Sequence, residues 1–233
     1  MITFILPCAG SGTRLGLPFP KELAPLSQGR VIIDSSLDLI AETVSAKRVI
    51  LMDDGDREAT ADYIRRRLPE VPLARVRQHK YAADWPDGVI RLEPWLGEVN
   101  VVLLPDSVYD ASGFMVEQLA AQARATGFAL GAVRMPAESL RRFGAVTVIQ
   151  DDTVRFYEDK PGDPERFNAA WGMLAFSGEI GLLGMRVIAD STRRQGVCKP
   201  PVVGAPVTWL DGWRDLGVWD AYSTESRKVS VNG

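Results

Sequence analysis

Short, largely apolar runs alternate along this chain with longer stretches whose apolar residues recur every three or four positions. Ile2 to Leu6, Arg48 to Met52, Val99 to Leu104 and Phe128 to Val133 are runs of the first kind, as expected of strands buried on both faces of a sheet. Leu73 to Gln78 reads as a further strand. Between them, Val31 to Val44 carries Ile32, Leu37, Ile40 and Val44 at helical spacing. Arg57 to Leu68 is a charged helix with Ala61, Ile64 and Leu68 on one side, ended by Pro69. Val89 to Leu96 is expected as a short helix. Gly113 to Ala125 is expected as a longer one, capped by Ser112, with Val116, Leu119 or Ala120, and Ala123 facing inward. A strand and helix order of this kind predicts an α/β fold with a mixed, mostly parallel central sheet and helices on both faces.

The pattern changes in the second half. Ala145 to Ile149 and Val154 to Glu158 flank Gln150-Asp151-Asp152-Thr153 and read as an antiparallel hairpin. An apolar stretch from Ala169 to Phe176 follows, then a strand at Val207 to Leu210 and a last helical stretch around Trp219 to Tyr222. At 233 residues the chain fits one α/β domain, with its later half expected as a substrate-binding lobe.

Composition narrows the function classes. With 46% hydrophobic and 24% charged residues the chain has enough apolar mass for a sizeable core, which sets disorder aside. A net charge of -3 argues against a nucleic acid or an anionic membrane as partner, so any phosphate site has to be local. No apolar run reaches the ~18 residues of a membrane span and no basic leader precedes the first strand, so the cytoplasm is the expected location. Cys8 and Cys198 form neither a metal spacing nor a disulfide framework. The lone His79, with no suitable Ser or Cys arrangement, argues against a nucleophilic triad. The six tryptophans are expected mostly as packing residues.

The strongest local chemistry lies directly after the first strand. Pro7 ends it, and Gly10-Ser11-Gly12 supplies backbone that bends sharply and presents bare N–H groups, with Arg14 close behind. Pro18, Pro20 and Pro25 break any helix that begins there, so Lys21 rides on the same loop as Arg14. Such a segment suits a polyphosphate. A tight structural turn is the plain alternative, because glycine turns are common. Asp106 hangs over the carboxyl edge of the sheet after Leu103-Leu104-Pro105, and Asp215 occupies a second strand end. Two carboxylates of this kind suit a hard cation such as Mg²⁺, completed by substrate phosphates.

Taken together these segments resemble the sugar-1-phosphate nucleotidylyltransferases, the family of glucose-1-phosphate thymidylyltransferase and bacterial UDP-glucose pyrophosphorylase. The resemblance rests on Ala9-Gly10-Ser11-Gly12-Thr13-Arg14-Leu15, Pro20-Lys21-Glu22-Leu23-Ala24-Pro25 and Leu103-Leu104-Pro105-Asp106. Further on it rests on Arg142-Phe143-Gly144-Ala145-Val146, Tyr157-Glu158-Asp159-Lys160-Pro161, Asn168-Ala169-Ala170-Trp171-Gly172, and Asp215-Leu216-Gly217 with Tyr222.

That resemblance implies a three-layer Rossmann-like nucleotidyltransferase fold with residues 1–134 as its nucleotide-binding part and 135–233 as its sugar-phosphate-binding part, a nucleoside triphosphate and a sugar 1-phosphate as substrates, Mg²⁺ as cofactor, and a homo-oligomer as an option. By the same resemblance Arg14, Lys21 and Lys160 are catalytic. Ala9, Gly10, Ser11, Gly12, Thr13, Gln78 and Gly88 bind the nucleotide, with UTP or dTTP favoured. Gly144, Asp159, Asn168 and Gly172 contact the acceptor, and Asp106 and Asp215 hold the metal. Asp159 stands where the family has glutamate, and Val218 where it has threonine. Two other readings stand beside this one: transfer to another phosphorylated acceptor such as phosphocholine, and a non-catalytic nucleotide-binding regulatory protein.

Overall fold

The computed structural model describes residues 1–10, 16–78, 82–193, 199–217 and 219–227. Ser11, Gly12, Thr13 and Arg14 lie outside the described residues. In the first half, strands β1 (Ile2–Pro7), β2 (Lys47–Asp53), β3 (Leu73–Arg77) and β4 (Val99–Leu103) alternate with helices α1 (Asp34–Glu42), α2 (Glu58–Arg67) and α3 (Trp85–Ile90). Then come β5 (Ser107–Asp110), α4 (Gly113–Thr126), β6 (Phe128–Arg134) and the single turn α5 (Ala137–Leu140). The chain continues through β7 (Gly144–Val148), β8 (Val154–Asp159), β9 (Ala169–Phe176), α6 (Gly178–Thr192), β10 (Val207–Trp209), β11 (Gly212–Asp215) and α7 (Trp219–Arg227).

The central sheet runs in the order β10-β6-β9-β4-β1-β2-β3. Its pairings are parallel except those of β9, which lies antiparallel between β4 and β6. The hairpin β7–β8 joins through β7 to β9. The sheet is therefore mixed and mostly parallel, with β9 placed in its middle rather than beside it.

Alternate residues of each strand feed opposite layers of core. Phe4 and Leu6 pack with Leu37 and Ile40 of α1, Ile64 of α2 and Leu119 of α4. Ile5 and Ile50 pack on the other face with Val89 of α3 and Met185 and Ile188 of α6. Helices thus cover both faces of the sheet.

Several boundaries differ from the sequence reading for identifiable reasons. The helix expected at Val89 to Leu96 begins earlier, because Asp84 caps it by accepting from the Asp87 N–H at 2.9 Å and Pro86 sits in its first turn. Ser112 stands before α4 without capping it through its side chain; Glu42 accepts the Gly113 N–H at 3.0 Å instead. Helix α6 and the small antiparallel sheet of β5 with β11 were not anticipated. No helix among the described residues is long and apolar enough to cross a membrane.

Candidate active site

A cleft of about 410 Å³ opens at the carboxyl edge of the parallel strands, within the size range of small-molecule sites. Pro7, Ala9 and Gly10 at the end of β1, Gln78 after β3, and Leu104 to Asp106 after β4 form one part of its lining. Arg142, Phe143 and Gly144 before and at the start of β7, with Asp159 at the end of β8 and Lys160 after it, form another part. Of the residues expected from sequence, Ala9, Gly10, Lys21, Gln78, Asp106, Gly144, Asp159, Lys160 and Asp215 all border this one space.

The two aspartates meet because of the small sheet. Strand β5 starts immediately after Asp106 and β11 ends at Asp215, and their register pairs Ser107 with Asp215. The Leu216 N–H donates to the Asp106 carbonyl at 2.8 Å, and the Gly217 N–H to Asp215 Oδ1 at 2.7 Å. Asp106 Oδ2 and Asp215 Oδ1 each lie 2.9 Å from the point where a β-carbon on Gly217 would stand. Any side chain at position 217 would fill the gap they share. The Tyr109 hydroxyl secures the adjoining loop, accepting from the Leu104 N–H at 2.8 Å and donating to the Gly172 carbonyl at 3.1 Å.

Lys21 lies in a single 3-10 turn, Lys21–Leu23, and its ammonium is 2.5 Å from Asp106 Oδ2. Both side chains are mostly buried, so this pairing holds the cation beside the carboxylates with little screening by water. Lys160, which borders the same cleft, is exposed and adopts a left-handed backbone with φ 51°. Its N–H donates to the Phe143 carbonyl at 2.9 Å, and Pro161 follows it. For a lysine this conformation is uncommon and costs energy, so the surrounding chain holds it in place.

Other expected contacts resolve differently. A β-carbon on Gly88 would lie 3.2 Å from Gln78 Oε1 and 2.9 Å from Met52 Sδ, so Gly88 makes room for the glutamine side chain. Asn168 and Gly172 are not among the residues bordering the cleft. The Asn168 amide accepts from the Val148 N–H at 2.9 Å and donates to the Val148 carbonyl at 2.8 Å, pinning β7. At Gly172 the Trp213 indole occupies the place of a side chain, 2.7 Å from a β-carbon there. Both residues are engaged in building the hairpin and the aromatic wall, not in facing the cleft.

Three tryptophans assigned to packing border the cleft as well: Trp85, Trp171 and Trp213. Trp85 and Trp171 lie 5.8 Å apart between centroids, and Phe143 meets Trp213 edge-on at 5.0 Å. Asp84 stands next to them. The available signal was the position of Trp171 inside the Asn168-Ala169-Ala170-Trp171-Gly172 segment. A separate cavity of about 330 Å³ beside Arg30, Asp38 and Asp110 is also charged. Arg30 there pairs with Asp38 at 2.5 Å, and Asp110 pairs with Arg214 of β11 at 2.7 Å.

The donor set of the main cleft fits a divalent oxygen-seeking ion. Mg²⁺ takes one or two carboxylates and completes its shell with water and substrate phosphates, and Asp106 with Asp215 offers such a pair. No group of three or more His, Cys, Asp or Glu side chains with metal-holding geometry occurs among the described residues, so no closed protein cage competes with it.

No protein-family model matches the chain. A 2-C-methyl-D-erythritol 4-phosphate cytidylyltransferase of Corynebacterium glutamicum is 32% identical over 110 residues, 46% of this chain and 40% of that protein. The match thus spans less than half of the curated relative. An apo UDP-glucose pyrophosphorylase superposes with a TM-score of 0.77 at 17% identity, covering 97% of both chains. A UDP-glucose pyrophosphorylase complexed with UDP-glucose gives 0.75 at 17% identity, again over 97% of both. A Bacillus anthracis protein assigned as a glucose-1-phosphate thymidylyltransferase, solved with sucrose, gives 0.73 at 16% identity over 97% of this chain and 94% of its own. The chain therefore has the Rossmann-like nucleotidyltransferase fold shared by these pyrophosphorylases.

Proposed function

We propose that the protein transfers a nucleotidyl group from a nucleoside triphosphate to a sugar 1-phosphate, giving a nucleotide sugar and pyrophosphate. The observation that carries this reading is the convergence of Asp106, Asp215 and Lys21 in a cleft that Lys160 also borders. An oxygen of the acceptor phosphate attacks the α-phosphorus in line, one P–O bond forms, and the bond to the leaving pyrophosphate breaks. The nucleophile is already an anion, so no general base is needed.

The protein's work is to align two polyanions and offset their repulsion. Gly10 and the segment after it, with Arg14, receive the triphosphate, and Gln78 with Gly88 reads the base. Lys21 lies by the α-phosphate and leaving group, where positive charge stabilises the in-line transition state. Lys160 holds the acceptor phosphate. Asp106 and Asp215 would hold Mg²⁺, which supplies charge neutralisation between the reacting phosphates. Asp159 and Gly144 contact the acceptor.

The test is a matrix of nucleoside triphosphates against phosphorylated acceptors with Mg²⁺, read as pyrophosphate release and product mass. UTP and dTTP lead the nucleotides, and CTP is included because the curated relative is a cytidylyltransferase. One observation favours a second acceptor class. The aromatic lining of Trp85, Trp171, Trp213 and Phe143, beside Asp84 and Asp159, has the composition of sites for quaternary ammonium groups. Phosphocholine therefore belongs in the matrix. Saturable nucleotide binding with no product from any acceptor would favour a regulatory nucleotide-binding role instead.

A further inference from the structure

Behind the cleft lies a buried charged cluster that the substrate-facing residues do not account for. Arg57, at the start of α2, has a side chain only 9% exposed, and the Glu22 side chain is not exposed at all. The Arg57 guanidinium reaches several segments at once. One terminal nitrogen donates to the Gly10 carbonyl at 2.8 Å. The other donates to the Asp56 carbonyl at 2.8 Å and stands 3.2 Å from Asp54 Oδ1. Its Nε lies 3.2 Å from Glu22 Oε1, close enough for ion pairing but off the hydrogen-bonding direction. Glu22 Oε1 also accepts from the Thr60 hydroxyl at 2.9 Å, one helical turn along from Arg57.

Glu22 occupies the same single turn as Lys21, and Gly10 borders the cleft at the end of β1. From this geometry we infer that Arg57 is a positioning residue which, through the Gly10 carbonyl and the Glu22 carboxylate, sets the spacing between Gly10 and Lys21. The inference rests on the reading of Gly10 and Lys21 as triphosphate-side groups. The fork suits the role, because five rigidly placed N–H groups serve several acceptors at once. A lysine has a point charge and reaches fewer of them. A buried ion pair kept for stability alone is the competing explanation, since such pairs are often replaceable by apolar residues.

The two explanations separate in a double variant, Glu22→Gln with Arg57→Met, which leaves no unpaired buried charge. Arg57→Lys serves as the conservative partner. Amide hydrogen exchange at Leu23 and Ala24, whose N–H groups close the Lys21 turn, needs no ligand. Both variants are expected to lose protection there. Both should raise KM for the nucleoside triphosphate about 10- to 100-fold while KM for the acceptor stays unchanged, since the displaced groups bind the triphosphate and not the acceptor. Wild-type exchange at Leu23 and Ala24 in the double variant, or an equal rise in both KM values, would overturn the inference. Should the wild-type protein turn over no nucleotide, the functional proposal falls, and the exchange measurement still decides the role of Arg57.

Discussion

Asp106 and Asp215 share one small gap: each places a carboxylate oxygen 2.9 Å from the position a Gly217 β-carbon would take. Two short strands bring these distant aspartates together, and Lys21 supplies a cation at 2.5 Å from one of them. Carboxylates gathered in this way favour a cation beside them, as Lys21 stands beside Asp106. Gly217→Ala should leave the sheet of β5 and β11 intact but intrude on that gap. Its turnover should fall, with the Mg²⁺ concentration needed for half-maximal rate rising, as read in a metal titration of pyrophosphate release.

Lys160 combines an exposed side chain with a strained backbone. Lys160→Gly removes the cation and the left-handed penalty of about 1–2 kcal/mol together. The thermal midpoint is expected to hold or rise while turnover falls by orders of magnitude, a split that thermal denaturation and steady-state kinetics read directly. A fall in midpoint with unchanged turnover would assign Lys160 a structural role only.

Gly144 lies against Trp171, whose indole nitrogen would be 1.8 Å from a β-carbon at position 144. Gly144→Ala should therefore destabilise the protein by about 1–3 kcal/mol through overpacking, measured by urea unfolding. Adding Trp171→Leu should recover much of the loss, because the collision is with the ring.

Glu22 is buried, and desolvation raises its pKa above the ordinary carboxylate range despite the Thr60 hydroxyl and the nearby Arg57 and Lys21. A carboxyl raised in this way contributes stability that is present at low pH and lost as pH rises through its folded pKa. The stability of the wild type relative to Glu22→Gln should thus decline as pH rises above the ordinary glutamate pKa of about 4.3, measured by denaturant unfolding of both proteins. A relative stability that grows as pH rises would contradict the burial argument.

Cys8 is 1% exposed, and burial pushes its thiol well above the usual range. It should resist alkylation in the native protein at pH 8 and react once the chain is unfolded, as mass spectrometry of the Cys8 peptide would show.

Much of the fold was legible from the sequence because the strands near the site are long apolar runs with sharp ends. Val99–Leu103, for instance, is buried at every position and stops just before Pro105-Asp106. What escaped notice were elements whose local signal conflicts with their tertiary role. Helix α6 carries Gly178, Gly181 and Gly184, which read as breakers. Yet a β-carbon on Gly184 would lie 2.3 Å from the Phe128 ring, so that glycine allows close packing of the helix on the sheet. Strands β5 and β11 have four residues each and mixed polarity, too short to show a period, although their pairing is what joins the two aspartates. At the site, Lys21, Asp106, Lys160 and Asp215 stood out through motif and strand end. Arg57 carried no such signal, since its importance lies only in what its guanidinium touches across the chain.

The most direct measurement is the rate of pyrophosphate release by the wild type, Asp106→Asn and Asp215→Asn, each with Mg²⁺, a nucleoside triphosphate and the preferred acceptor at saturation. The wild type should release pyrophosphate in step with nucleotide-linked product, and each asparagine variant should fold normally yet fall by several orders of magnitude. Wild-type rates in either variant would contradict the claim that the two carboxylates hold the charge around which the reaction is arranged.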